Sequence, residues 1–307
     1  MTTLFITHPD CDAHVTPFGH PEQVARLEYI RAALEPVEGL MRKEAPLCAD
    51  ADILRCHPQH YLDKVSAAIP KDGWVSLDGD THVTTGSEIA ARRAVGGALR
   101  AVDAVLDEEA QNAFVACRPP GHHAETDTAM GFCLFGNVSI AAKHALDARG
   151  LSRVAVIDFD VHHGNGTQDL LWDEPRAMFV SSHQMPLYPG SGAAHERGAH
   201  GQILNIPLSG NSDGAAMRSV YEQAVFPAVR KFAPELIIVS AGFDAHAADP
   251  LANLNWRTED FVWLTREICN LADEVCQGRV VACLEGGYDL EALAASVKGM
   301  ITEMMTR

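Results

Sequence analysis

An α/β fold built on a single open parallel sheet of about eight strands is the architecture this sequence predicts, and three observations predict it. Short apolar runs alternate with longer helical patterns along the 307 residues. The runs are continuously apolar instead of alternating, which suits parallel strands covered on both faces. Several of them end in polar, glycine-rich stretches, and open α/β sheets bind ligands outside the carboxyl ends of their strands.

The elements follow in order. TLFIT (residues 3–7) reads as the first strand, and helical patterns cover Glu22–Leu34 and Ser87–Glu109. AFVACR (113–118) is the next strand, and a helix over Val138–Arg149 leads to RVAVIDFD (153–160). AMFVSS (177–182) and ILNIP (203–207) are further strands, followed by a helix over Ala215–Phe232. ELIIVSAG (235–242), a helix over Thr258–Gln277, RVVACLEG (279–286) and a helix over Leu290–Met305 complete the pattern. Strand–helix–strand repetition implies right-handed crossovers. With neither a low-complexity linker nor an internal repeat, residues 1–307 read as one domain.

Composition narrows the partners. The chain is 47% hydrophobic, as an ordinary globular core requires, and carries a formal charge of −17 from 24 Lys+Arg against 41 Asp+Glu. Nucleic acid and anionic membrane are therefore poor partners, whereas basic peptides and polyamines would be attracted. Neither a basic leader followed by a long apolar run nor a membrane-spanning run is present, so a cytoplasmic protein is expected. The eight cysteines form no C-x-x-C pair and sit largely in apolar runs, which suits buried reduced thiols. Self-association into a homo-oligomer is left open by the sequence.

Five loops should converge at one sheet edge: ACRPPGHHAE, IDFDVHHGNG, SSHQMPLYPGSG, SAGFDAHAADP and CLEGGYDL. Asp160 and His162 lie two apart, so an extended backbone would turn both to one face, with Asp158 beside them. Together with Asp244 they make a plausible catalytic zinc set of three protein ligands and an open position. A lone D-x-H is more often a turn satisfied by backbone amides. The HHGNG continuation and the second strand-end aspartate add weight to the metal. His122 and His123, after a rigid Pro-Pro-Gly turn, could place a general base, with Asp158 or Asn165 bonding the far ring nitrogens. Tyr288, after two glycines, could donate to a developing oxyanion, and Phe132 and Tyr188 could wall an apolar channel. Phosphate-binding and dinucleotide fingerprints and the G-x-S-x-G elbow are missing, which leaves metal-assisted hydrolysis as the leading chemistry.

In number and order these stretches resemble the zinc-dependent histone deacetylase family, of arginase-deacetylase fold. The likeness runs from HPDCDAHVTPFGHPEQVARL to LEGGYDL. HHGNG, with Asn165 where others have Asp, and AGFDA…DPL look like its class II-type branch and bacterial amidohydrolase relatives. The resemblance implies Asp160, His162 and Asp244 as zinc ligands, and His123 as general base with His122 in support. Asp158 and Asn165 would orient those histidines, and Tyr288 would polarise the substrate carbonyl. It implies a structural potassium at Asp158, Asp160, His162, Ser181 and Ser182. Gly131, Phe132, Tyr188, Leu251 and the rim residue Asp80 would contact substrate, and Arg26 would line an exit channel. The implied reaction is zinc-dependent removal of acetyl or other acyl groups from N-acyl-lysine side chains of peptides or proteins. The alternative is an acetylpolyamine amidohydrolase acting on an acetylated small amine. An arginase-type enzyme would need more bridging aspartates than the Asp244 strand end offers. A non-catalytic binding module would be expected to have lost a ligand or Tyr288.

Overall fold

Every continuously apolar run forms a strand, nearly all of them buried along their length, and together they build the centre of the computed structural model, which describes residues 2–307. The strands are β1 (Thr3–Thr7), β2 (Met41–Glu44), β3 (Trp74–Ser76), β4 (His82–Thr84), β5 (Asn112–Val115), β6 (Val154–Asp158), β7 (Ala177–Gln184), β8 (Ile203–Leu208), β9 (Leu236–Ala241) and β10 (Val280–Leu284). Eight of them form one parallel sheet in the order β2-β1-β5-β10-β9-β6-β7-β8. The chain has the arginase-deacetylase fold.

The eighth strand is β2, which has no apolar run to announce it. It reads MRKE and lies at the sheet edge with three of its four residues exposed, where burial sets no hydrophobic pattern. The small β3–β4 antiparallel hairpin stands apart from the sheet and escapes pattern reading for the same reason.

The helices are α1 (Ala25–Leu34), α2 (Asp50–Ile53), α3 (Gln59–Ala68), α4 (Ser87–Leu106), α5 (Asn137–Asp147), α6 (Asn165–Leu170), α7 (Gly214–Val220), α8 (Phe226–Phe232), α9 (Thr258–Cys276) and α10 (Leu290–Met304). The helix expected over Ala215–Phe232 is broken by a π-helical turn at Tyr221–Val225. Pro227, at the start of α8, has no N–H to return to the preceding turn, so the hydrogen-bond ladder shifts there. One large core wraps the sheet, and a second apolar cluster centred on Tyr61, Leu134, Phe135 and Ile140 sits under α3. All eight cysteines are buried and unpaired. Among the described residues, no helix is long and apolar enough to cross a membrane.

Four strands neighbouring one another in space, β5, β10, β9 and β6, carry the loops with RPPGHH, LEGGY, AGFDA and DVHHGNG. Their carboxyl ends lie side by side at the middle of the sheet edge.

Candidate active site

Strand β6 ends at Asp158, and the chain turns immediately, so extended alternation does not bring Asp160 and His162 together. Short-range hydrogen bonds do. The Asp160 N–H donates to Asp158 Oδ1 at 3.0 Å, and the His162 N–H donates to Asp160 Oδ1 at 2.9 Å. From β9, Asp244 Oδ1 accepts the Val161 N–H at 2.9 Å, which pins this turn. His162 Nδ1 then lies 3.2 Å from Asp160 Oδ1 and 3.1 Å from Asp244 Oδ2.

One ligand atom from each of the three residues falls within 4.8 Å of the others, and all three residues are buried. Two glycines make room. A Cβ on Gly242 would stand 2.0 Å from Asp160 Oδ2, and one on Gly286 would stand 2.2 Å from Asp244 Oδ2. Burial and the Asp160 charge push Asp244 up to about 7. His162 is held at about 10, because its bonds to Asp160 and Asp244 outweigh the burial that opposes its charge. Two buried carboxylates thus compete for one positive charge. Two oxygens and one nitrogen at this spacing are a donor set that fits a divalent metal ion.

Beside it, the RPPGHH loop brings the tandem histidines together with ring centroids 4.0 Å apart. His122 Nδ1 pairs with Asp158 Oδ2 at 3.0 Å; burial opposes its charge, but Asp160 and Asp158 outweigh this and raise its pKa well above the ordinary value. His123 Nδ1 meets Asn165 Oδ1 at 2.7 Å. The Asn165 amide donates Nδ2–H to Glu125 Oε1 at 2.7 Å, and a carboxylate only accepts, so the amide oxygen faces His123. His123 therefore carries its proton on Nδ1 and presents Nε2 as an acceptor. Burial, then the neighbouring His122 and His162, hold its pKa well below the ordinary value. His163 is turned away, bonding Ser191 Oγ at 2.8 Å and Gln168 Oε1 at 3.1 Å.

A cavity of ≈ 330 Å³ leads to these groups. Phe132, Tyr188, Leu187 and Leu251 wall it, His123, His162 and Tyr288 reach into it, and Gly131 and Asp80 complete its lining with His20 and Pro21. Gly131 is irreplaceable on geometry, because its φ is +54° and a Cβ would stand 2.4 Å from the His123 ring. Phe132 follows at φ +69°, with its N–H held by Thr81 Oγ1 at 3.0 Å.

The Tyr288 N–H donates to Asp249 Oδ2 at 2.6 Å, and burial, with the Asp244 charge, keeps the phenol protonated by raising its pKa well above the ordinary value. Arg26 is fully buried behind that ring, 5.1 Å from its centroid, and donates to the carbonyl of Gly287. It lies off the cavity wall. Asp158 pairs in register with Ser181, so Ser181 and Ser182 lie behind the metal turn, not in the cavity. Glu125, Asp249, Glu285, His20 and Leu187 all lie in the stretches singled out in the sequence, but no residue pattern there marks them individually.

Residues 20–304 match the histone deacetylase domain. The chain belongs to the histone deacetylase family. Histone deacetylase 14, chloroplastic, of Arabidopsis thaliana is 40% identical over 95% of this chain and 71% of its own length. The histone deacetylase-like amidohydrolase of Pseudomonas aeruginosa is 39% identical over 87% of this chain and 71% of its own. The crystal structure of the HDA15 HD domain superposes with a TM-score of 0.93 at 29% identity, covering 100% of this chain and 90% of that one. The family is one of hydrolases, and the Asp160–His162–Asp244 cluster is a possible metal site.

Proposed function

We propose that this chain is a zinc-dependent amidohydrolase that removes acetyl or other acyl groups from N-acyl-lysine side chains. The observation that carries the reading is the apolar cavity, which ends on a three-ligand cluster, a neutral histidine and a protonated tyrosine. Asp160, His162 and Asp244 would hold the zinc, which would supply Lewis acidity to lower the pKa of a water toward ~7 and to polarise the acyl carbonyl.

The chain's own groups do the rest. Phe132 and Tyr188 hold the lysine stem, and Asp80 and Gly131 contact the substrate at the cavity lining with Leu251. His123 Nε2 accepts the water proton, its ring fixed by Asn165. The Tyr288 hydroxyl donates to the developing oxyanion. His122, kept charged by Asp158, stabilises the negative charge and supports proton delivery to the leaving amine. Two histidines in one loop, pushed to opposite protonation states, divide acid from base.

A structural potassium would sit at Asp158, Asp160, His162, Ser181 and Ser182. In support, these positions are buried, and Asp158 at the end of β6 pairs with Ser181 inside β7, with Asp160 and His162 in the turn that follows. The serine hydroxyls are engaged by His183 Nδ1 and Tyr221 OH, which leaves main-chain carbonyls as the donors. Arg26 would act on the product side of Tyr288, and we place the protein in the cytoplasm.

Turnover with acetyl-lysine peptides, longer acyl-lysine peptides and acetylspermidine tests the reading. Highest kcat/KM on an acyl-lysine peptide is the expected result. A clear preference for acetylspermidine, which the charge of −17 would favour, would make the protein an acetylpolyamine amidohydrolase instead.

A further inference from the structure

Glu285 follows directly after β10 and is fully buried. Its carboxylate is held by neutral donors. Oε2 accepts the N–H groups of Gly121 at 2.7 Å and His122 at 3.2 Å, and Oε1 accepts the Ser240 hydroxyl at 3.1 Å. Arg26 donates to the Glu285 carbonyl and not to the carboxylate. A fully buried carboxylate that makes no direct salt bridge is costly even with the charged His122 ring nearby, and packing alone does not account for one.

Its place in the sheet explains the cost. Strands β5 and β10 pair as far as Val115 and Cys283, after which the Ala116 N–H goes to Ile6 of β1. Beyond that point the ladder no longer joins the RPPGHH loop to β10, and the Glu285 side chain bridges the gap. Ser240, in register with Cys283, ties the same carboxylate to β9. The next N–H along the chain, that of Gly286, donates to Asp160 Oδ2 at 2.8 Å, and Tyr288 comes two residues later.

On the functional reading given above, we propose that Glu285 is a positioning residue. It fixes the main chain of the His122–His123 loop against β10, so that the proton-transfer histidines, Asp160 and Tyr288 share one rigid frame. What matters is the reach of the side chain and its acceptor oxygens.

Reach and charge are separable by substitution. Glu285→Asp keeps the charge but is one methylene short, whereas Glu285→Gln keeps the reach without the charge, and the Ser240 hydroxyl can turn to accept from the new amide. In metal-loaded protein, Glu285→Asp should lose on the order of 10–100-fold in kcat with KM within about 2-fold, while Glu285→Gln keeps kcat within about 5-fold. Amide hydrogen exchange of the metal-free protein is the second readout. The Gly121 and His122 N–H groups should lose protection in Glu285→Asp and keep it in Glu285→Gln.

The reverse ranking, equal kcat in the two variants, or protection unchanged in both would overturn the proposal. Should Glu285→Asp fail to fold, the Gln variant decides, with lost kcat or lost protection counting against it. A wild-type protein inactive on every acylated amine would sink the functional reading alone, and the exchange data would still decide the role of Glu285.

Discussion

At the scale of single residues, the site turns on which neighbour each imidazole meets. His122 faces a carboxylate and His123 faces an amide, so in their shared burial the first ring is kept charged and the second is left neutral, the split the proposed reaction needs. Asn165→Asp would put a carboxylate against the His123 Nδ1–H and raise that ring's pKa. A base works only when unprotonated, so the acid limb of kcat/KM should move to higher pH, with activity at pH 6 falling relative to pH 8. An unmoved pH profile would show that His123 is not the base. Tyr288→Phe removes a single oxyanion donor, and kcat should fall on the order of 10²–10³-fold while zinc stoichiometry stays at wild type. Each candidate alone reads as well as a turn or core residue; they were legible as a group because their loops end strands and together resemble one family. Glu125 and Asp249 were not, because they act by orienting a neighbour, and orientation appears only once distant loops are folded together.

At the scale of elements, strands buried on both faces were legible as unbroken apolar runs, whereas β2, lying exposed at the edge, left no pattern. The loops obey tighter rules than the strands. Gly286 leaves no room for a methyl group between Asp160 and Asp244, so Gly286→Ala should weaken zinc binding by roughly 10–100-fold in a chelator competition, with the melting curve showing a folded protein.

His57 plays a comparable role between α3 and α5. Its Nε2 accepts the Gly136 N–H at 3.0 Å, so Nδ1 must carry the proton that it gives to the Thr126 carbonyl. Burial lowers its pKa to about 4. A depressed pKa means that the stabilisation is fully present above the ordinary value near 6.5 and fades as pH falls toward 4. His57→Ala should therefore cost roughly 2–4 kcal/mol at pH 7.5, and the gap in Tm from wild type should narrow steadily on acidification. A gap independent of pH would assign the loss to packing against Tyr61 and Phe135 alone.

At the scale of the whole molecule, the charge of −17 was legible from composition and has a kinetic consequence. Lysine-rich acylated peptides should be drawn to the protein, and their kcat/KM should decline as ionic strength rises past the range where the Debye length is about 10 Å. Neutral peptides of the same length should show little change. The order of strands was not legible, because continuous apolar runs pair equally well with any neighbour. In the sheet, β10 lies between β5 and β9, although it is the last strand in the sequence. During synthesis, the ribosome therefore releases the tandem histidines, Asp160, His162 and Asp244 before the strand that joins them exists. Until β10 slots in, β5 and β9 each present a bare edge, and the nascent chain can neither align His123 with the Asp160–His162–Asp244 cluster nor place Tyr288. Bare strand edges are pairing sites for other chains, so that interval is when the chain is most open to aggregation and to chaperone capture.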